Sequence, residues 1–115
     1  MEIVSRDTIE ISVVLYPEND FWIAQGLEFD ITARGVSPSD ASERFNFKVG
    51  AELIMSMEAG DETPLAGIGQ APQKFWDMYK RARMSVSSEV TPLRLTDGVH
   101  PSRVMPHIKI FDKAA

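Results

Sequence analysis

One stretch near the middle of the chain constrains the fold more than any other. Ser37-Pro38-Ser39-Asp40 leads into Ala41, Phe45, Val49, Leu53 and Met57. Apolar residues four apart share one face of an α-helix, and Ile54 widens the stripe. Ser37 has the hydroxyl that satisfies a free helix N–H, Pro38 stands where no N–H is needed, and Asp40 lies three residues after the cap. Gly60 supplies a left-handed stop. The pattern predicts a helix over 38–59, about 33 Å long. Gly50 inside it costs about 1 kcal/mol relative to alanine; a close backbone approach or simple tolerance would account for it.

A helix with one apolar stripe needs a surface to cover, and the residues ahead of it read as strands. In Ile9-Glu10-Ile11-Ser12-Val13-Val14-Leu15-Tyr16, the side chains of Ile9, Ile11, Val13 and Leu15 recur with period two. Val14 and Tyr16 fall on the opposite face. Pro17-Glu18-Asn19-Asp20 has the composition of a turn. Phe21-Trp22-Ile23-Ala24-Gln25 returns as a second strand, and Asp30-Ile31-Thr32-Ala33-Arg34 forms a third that ends at Gly35. With the long helix on the Ile9 face, Val14, Tyr16, Trp22 and Ala24 are expected to share the other. That apolar patch is either covered by a second helix or used for association.

The second half is less regular. Residues 61–71, with Pro64, Gly67 and Gly69, read as a loop, and a second helix is expected over about 72–84. Its apolar face would hold Phe75, Met78, Tyr79 and Ala82, with Trp76 at the margin. Residues 85–92 read as a connector, Leu93-Arg94-Leu95 as a short strand and Asp97-Gly98 as a turn. Pro101 and Pro106 predict that any strand there is an edge or starts late. His107-Ile108-Lys109-Ile110-Phe111 is the expected last strand, with Ile108 and Ile110 inward.

The size of the chain fits one domain over 1–115. A net charge of −5, from 17 acidic and 12 basic residues, argues against broad nucleic-acid binding, which needs a positive footprint. Cysteine is absent, so disulfides and thiolate chemistry are excluded. The charged N-terminal residues carry no signal-peptide pattern and no apolar run approaches a membrane span, so the chain reads as cytoplasmic.

Candidate chemistry is sparse. His100 and His107 have no His or Cys at metal-ligand spacing. Carboxylates gather at Glu18/Asp20, Glu28/Asp30 and Glu58/Asp61/Glu62 without the spacing of a calcium loop. Gly67-Ile68-Gly69 resembles half of a phosphate loop but lacks the following Gly-Lys-Ser/Thr. Lys80, Arg81 and Arg83 close the second helix, where cations complement its dipole. No catalytic, cofactor-binding or metal-binding residue is assigned, and no cofactor is expected.

The run Phe21-Trp22-Ile23-Ala24-Gln25-Gly26-Leu27-Glu28-Phe29-Asp30-Ile31, leading into Arg34-Gly35-Val36-Ser37-Pro38-Ser39-Asp40-Ala41, resembles the HicB-like antitoxin family. In that family an aromatic-containing second strand and a short third strand precede a Gly-x-Ser/Thr-x-x-Glu/Asp-Ala helix start. Gly35, Ser37, Asp40 and Ala41 match that start. The likeness covers about residues 9–57. Gly69-Gln70-Ala71-Pro72-Gln73-Lys74-Phe75-Trp76 is also similar to a helix start in a longer HicB-like subgroup. The resemblance implies an α+β fold, a small antiparallel sheet in the order β-β-β-α-α-β with a long helix on one face, akin to a degraded ribonuclease H-like fold. It implies a small basic ribonuclease toxin of the HicA type as partner. It implies no ribonuclease activity of the chain itself, because it brings no matched set of catalytic carboxylates. Residues 85–115 depart from the family: they hold no helix-turn-helix or ribbon-helix-helix pattern, so direct DNA binding is not expected.

The sequence therefore reads as a non-enzymatic protein-binding module that occludes a partner, and a homo-oligomer is expected. Its acidic surface would attract a basic protein, with Tyr16 and Trp22 as apolar anchors and Glu18 and Asp20 as the charged rim. Two other readings stand beside it. One is a divalent-dependent nuclease-like enzyme using Glu28 and Asp30. The other is a structural homo-oligomeric protein of the phage-borne kind, assembling through strand edges.

Overall fold

The computed structural model describes residues 8–61, 63, 65–82, 84–86, 91–92 and 103–111. The expected features at Leu93-Arg94-Leu95, Asp97-Gly98 and His100 lie outside them. The elements run β1 (Thr8–Glu18), β2 (Phe21–Gly26), β3 (Thr32–Gly35), α1 (Pro38–Glu58), α2 (Gln73–Arg81), β4 (Met84–Val86), β5 (Thr91–Pro92) and β6 (Arg103–Ile110). The class is α+β. Among the described residues no helix is long and apolar enough to cross a membrane.

The sheet is mixed rather than antiparallel. Its order is β3-β2-β1-β6-β4, with β5 also pairing β6. β1–β2 and β2–β3 are antiparallel, but β6 lies parallel to β1, with Ile11 opposite Pro106 and Val13 opposite Ile108. β4 and β5 are strands that the sequence reading had not placed. β6 also begins earlier than expected and passes through Pro106 as an interior strand. On its outer side β5 pairs Arg103 and Val104 while β4 pairs Ile108 to Ile110. Pro106 falls between those two pairings, where a missing N–H interrupts neither ladder.

The same logic lengthens β1. It continues through Pro17 to Glu18, so the turn is Asn19-Asp20 alone, with Asn19 at φ 58°. Pro17 is tolerated because pairing with β6 ends at Leu15–Ile110. A positive φ at the first central residue of a two-residue hairpin loop suits asparagine.

α1 covers one face of the sheet. Ala41, Phe45, Val49 and Leu53 pack against Ile11, Val13, Leu15, Ala24, Ala33 and Val104, and Ile108 and Ile110 point into the same core. Both ends of α1 are built by local chemistry. The Ser37 hydroxyl accepts from the Asp40 N–H at 3.0 Å, and the Asp40 carboxylate accepts from the Val36 N–H at 2.9 Å. That reciprocal pair is a capping box displaced by one residue. The Val36 N–H holds the Asp40 carboxyl below the ordinary carboxylate range, against a smaller opposing effect of burial, and Arg44 adds to the lowering. At the other end Gly60, at φ 81°, donates to the Met57 carbonyl and Asp61 to the Ser56 carbonyl. These two bonds form a Schellman motif. Ser37→Ala should cost about 1 kcal/mol of stability, read as a lower urea midpoint at unchanged slope.

α2 covers the opposite face. Phe75, Trp76, Met78 and Tyr79 pack with Val14, Tyr16, Leu27, Ala71 and Phe111. It ends at Arg81, short of the expected 84, because residues 84–86 pair with β6 instead. Coverage on both sides explains why Val13-Val14-Leu15-Tyr16 is apolar without interruption: a strand buried on both faces does not alternate.

Candidate functional site

The two-residue turn decides which side chains meet. Tyr16 is opposite Ile23 and Pro17 opposite Trp22. Tyr16 and Trp22 would share a face only across a turn with an odd number of residues. The structure therefore corrects the expected patch. Trp22 and Ala24 lie on the α1 face, whereas Val14 and Tyr16 lie under α2. Of the two uses weighed for that patch, the part that remains is covered by the second helix.

Tyr16, Glu18, Asp20 and Trp22 are nevertheless brought to one end of the sheet, within the last pairs of the β1–β2 hairpin. Tyr16 is half-buried and stacks on Phe75 with ring centroids 5.9 Å apart. Burial pushes its phenol above the ordinary tyrosine value, and the negative charge of Glu18 pushes it further. Tyr16 is thus a neutral hydroxyl at physiological pH. Glu18 and Asp20 are exposed, and Trp22 is half-buried at the rim of the α1 core.

Phe21 also belongs to this end, although the sequence reading treated it only as a strand residue. It pairs with Glu18, remains exposed, and carries the Arg34 guanidinium 4.5 Å from its ring centroid. Its signal was present in the sequence as an aromatic residue directly after a turn, but its exposure was not legible there. The hairpin end thus offers acid, aromatic and one paired cation, with β3 beside β2 at Trp22.

A second polar group lies where β1 runs past the end of β2. The Ser12 N–H donates to one Glu28 oxygen at 2.7 Å and the Ser12 hydroxyl to the other at 2.8 Å. Gln25, only 3% exposed, donates from Nε2 to the Gly26 carbonyl and to Asp30, and its Oε1 accepts from the Thr32 hydroxyl. Every polar end of that buried amide is matched, as burial demands. Glu28 and Asp30 are thus held by different partners. The Ser12 carbonyl accepts from the Leu27 N–H, and the Glu28 carboxylate takes the Ser12 N–H just past the last β2 pair.

His107 is opposite Ser12 in the β1–β6 register, but its Nε2 lies 3.0 Å from Glu10 Oε1 in an exposed pair. The Ser12 hydroxyl donates to Glu28, while the His107 ring is directed to Glu10. Among the described residues no group of three or more His, Asp or Glu converges as a metal site. Lys80 and Arg81 stand in the last turn of α2 as the dipole argument expects, and Arg83 lies outside the described residues. No protein-family model matches this chain, and no curated protein or solved structure matches it either.

Proposed function

We propose that the protein is a non-enzymatic binding module of the HicB-like type, which occludes a small basic protein such as a ribonuclease toxin of the HicA kind. The observation that carries this reading is the β1–β2 hairpin end. Glu18 and Asp20 stand exposed at its tip, Phe21 is exposed beside them, and Tyr16 and Trp22 flank them from the two faces. Acidic groups at the rim steer a cationic partner, and aromatic side chains supply anchors once water leaves. The excess of acidic residues in the whole chain adds long-range attraction of the same sign. A ribonuclease H-like ancestry of the fold belongs to this proposal and rests on the resemblance around Gly35-to-Ala41.

Co-expression with the product of the neighbouring gene, followed by affinity capture and a growth assay, tests the reading. Capture of the partner and relief of its toxicity are expected. The Glu18→Lys/Asp20→Lys variant, altered only at the exposed tip, should bind about tenfold or more weakly, a change of about 1.4 kcal/mol or more. Absence of capture, or binding indifferent to both charge reversals, would remove the proposal.

A further inference from the structure

The outward face of α1 carries side chains that a solvated helix does not need. Phe47 is 82% exposed and Met55 61% exposed. Between them Ala51 is exposed and Gly50 half-buried. With the helical period, Arg44, Phe47, Ala51, Met55 and Glu58 fall on one stripe, three or four residues apart. It lies away from Ala41, Phe45, Val49 and Leu53, which face the sheet. A helix that is apolar on two sides is normally covered on both. Ala51, small and at the middle of the stripe, would let a second backbone come close.

The charges at the ends of the stripe indicate what covers it. Arg44 is basic near the N-terminal end, and Glu58 is acidic at the C-terminal end. Two copies aligned in parallel would set Arg44 against Arg44 and Glu58 against Glu58. Two antiparallel copies would set each Arg44 against Glu58 of the other and each Phe47 against Met55 of the other, with Ala51 against Ala51 at the centre. Arg44 already donates from Nε to Asp40 at 3.1 Å, but a guanidinium carries five N–H donors, so one such bond does not exhaust it. The stripe is complementary to itself under a two-fold rotation, as an isologous interface requires.

We infer that α1 is the dimer interface of the protein, packed antiparallel on α1 of a second copy with Ala51 at the two-fold axis. This inference does not rest on the hairpin reading. The interface is a single helix pair, small among specific interfaces, so the dimer forms reversibly with concentration.

Sedimentation of the full chain from micromolar to millimolar concentration tests it. The mass should rise from monomer to dimer across that range. Ala51→Arg places like charges face to face at the axis and should raise the midpoint about tenfold or more. Arg44→Glu and Glu58→Arg should each weaken the dimer, and the double exchange should restore it, because antiparallel complementarity survives the swap. Circular dichroism checks that each variant keeps its helix content; all three positions are on the outer face of α1, away from the core. A monomer at every concentration would overturn the inference. So would a dimer unaffected by Ala51→Arg, or a double exchange no tighter than the single variants.

Discussion

Gly35→Ala should destabilise the protein by about 3 kcal/mol, a large share of the margin of a small domain. A Cβ at Gly35 would lie 2.4 Å from the Ala41 nitrogen and 2.8 Å from the Ala41 Cα. Those atoms belong to the first turn of α1 and cannot rotate aside as a side-chain tip would. Accommodation therefore requires the helix to move off β3, which loosens Ala41 and Phe45 in the core beneath. Gly35 does not have a positive φ, so the demand is for space rather than for a left-handed backbone. Gly67→Ala is the matched control, since nothing lies within 4 Å of the added atom. It should leave stability unchanged or raise it by up to about 1 kcal/mol, through the unfolded state. Urea unfolding of the two variants side by side makes the comparison, and equal midpoints would refute the close-approach argument.

Phe45→Ala should cost about 3–5 kcal/mol, the range for removing a fully buried aromatic side chain. Phe45 is among the largest fully buried side chains and lies where α1, β1 and β2 meet. Its ring also bounds the space at Gly26, where an added Cβ would approach it to 3.0 Å and the Phe29 carbonyl to 2.7 Å. Phe47→Ala, two residues on, should change monomer stability by no more than about 0.5 kcal/mol, because that side chain is exposed. Thermal unfolding at a concentration low enough to keep the protein monomeric separates the two. A loss below about 1 kcal/mol at Phe45 would mean that α1 does not anchor the sheet through this ring.

Where the physics was local, the chain was legible. The cap at Ser37 and Asp40, the stop at Gly60, the buried stripe of α1 from Ala41 to Leu53 and the inward Ile108 and Ile110 follow from neighbours a few residues apart, although the stripe passes next to Ser56 rather than Met57. The hairpin was legible as a hairpin, but its turn was read as four residues when it has two. The proline rule misled at Pro17 and Pro106, because a proline interrupts a sheet only where its N–H would have had a partner. A four-residue and a two-residue turn have the same even parity, so either one puts Tyr16 and Trp22 on opposite faces; the shared patch did not follow from the turn expected between the strands. The use of Glu28 depended on Ser12, sixteen residues away, whose N–H lies just past the last β2 pair.

The amino-acid order alone determined the helix over α1, the three strands before it and the α+β class, because capping, periodicity and turn chemistry act within a few residues. Only the tertiary structure decided that β6 lies parallel beside β1, that α2 closes the second face, and that Tyr16 and Trp22 look in opposite directions. Those outcomes come from pairing segments distant along the chain, where register and face are set by which apolar surfaces can be buried together. Phe47 and Met55 show the same division: their type is written in the sequence, while their exposure follows from which side of α1 the sheet occupies.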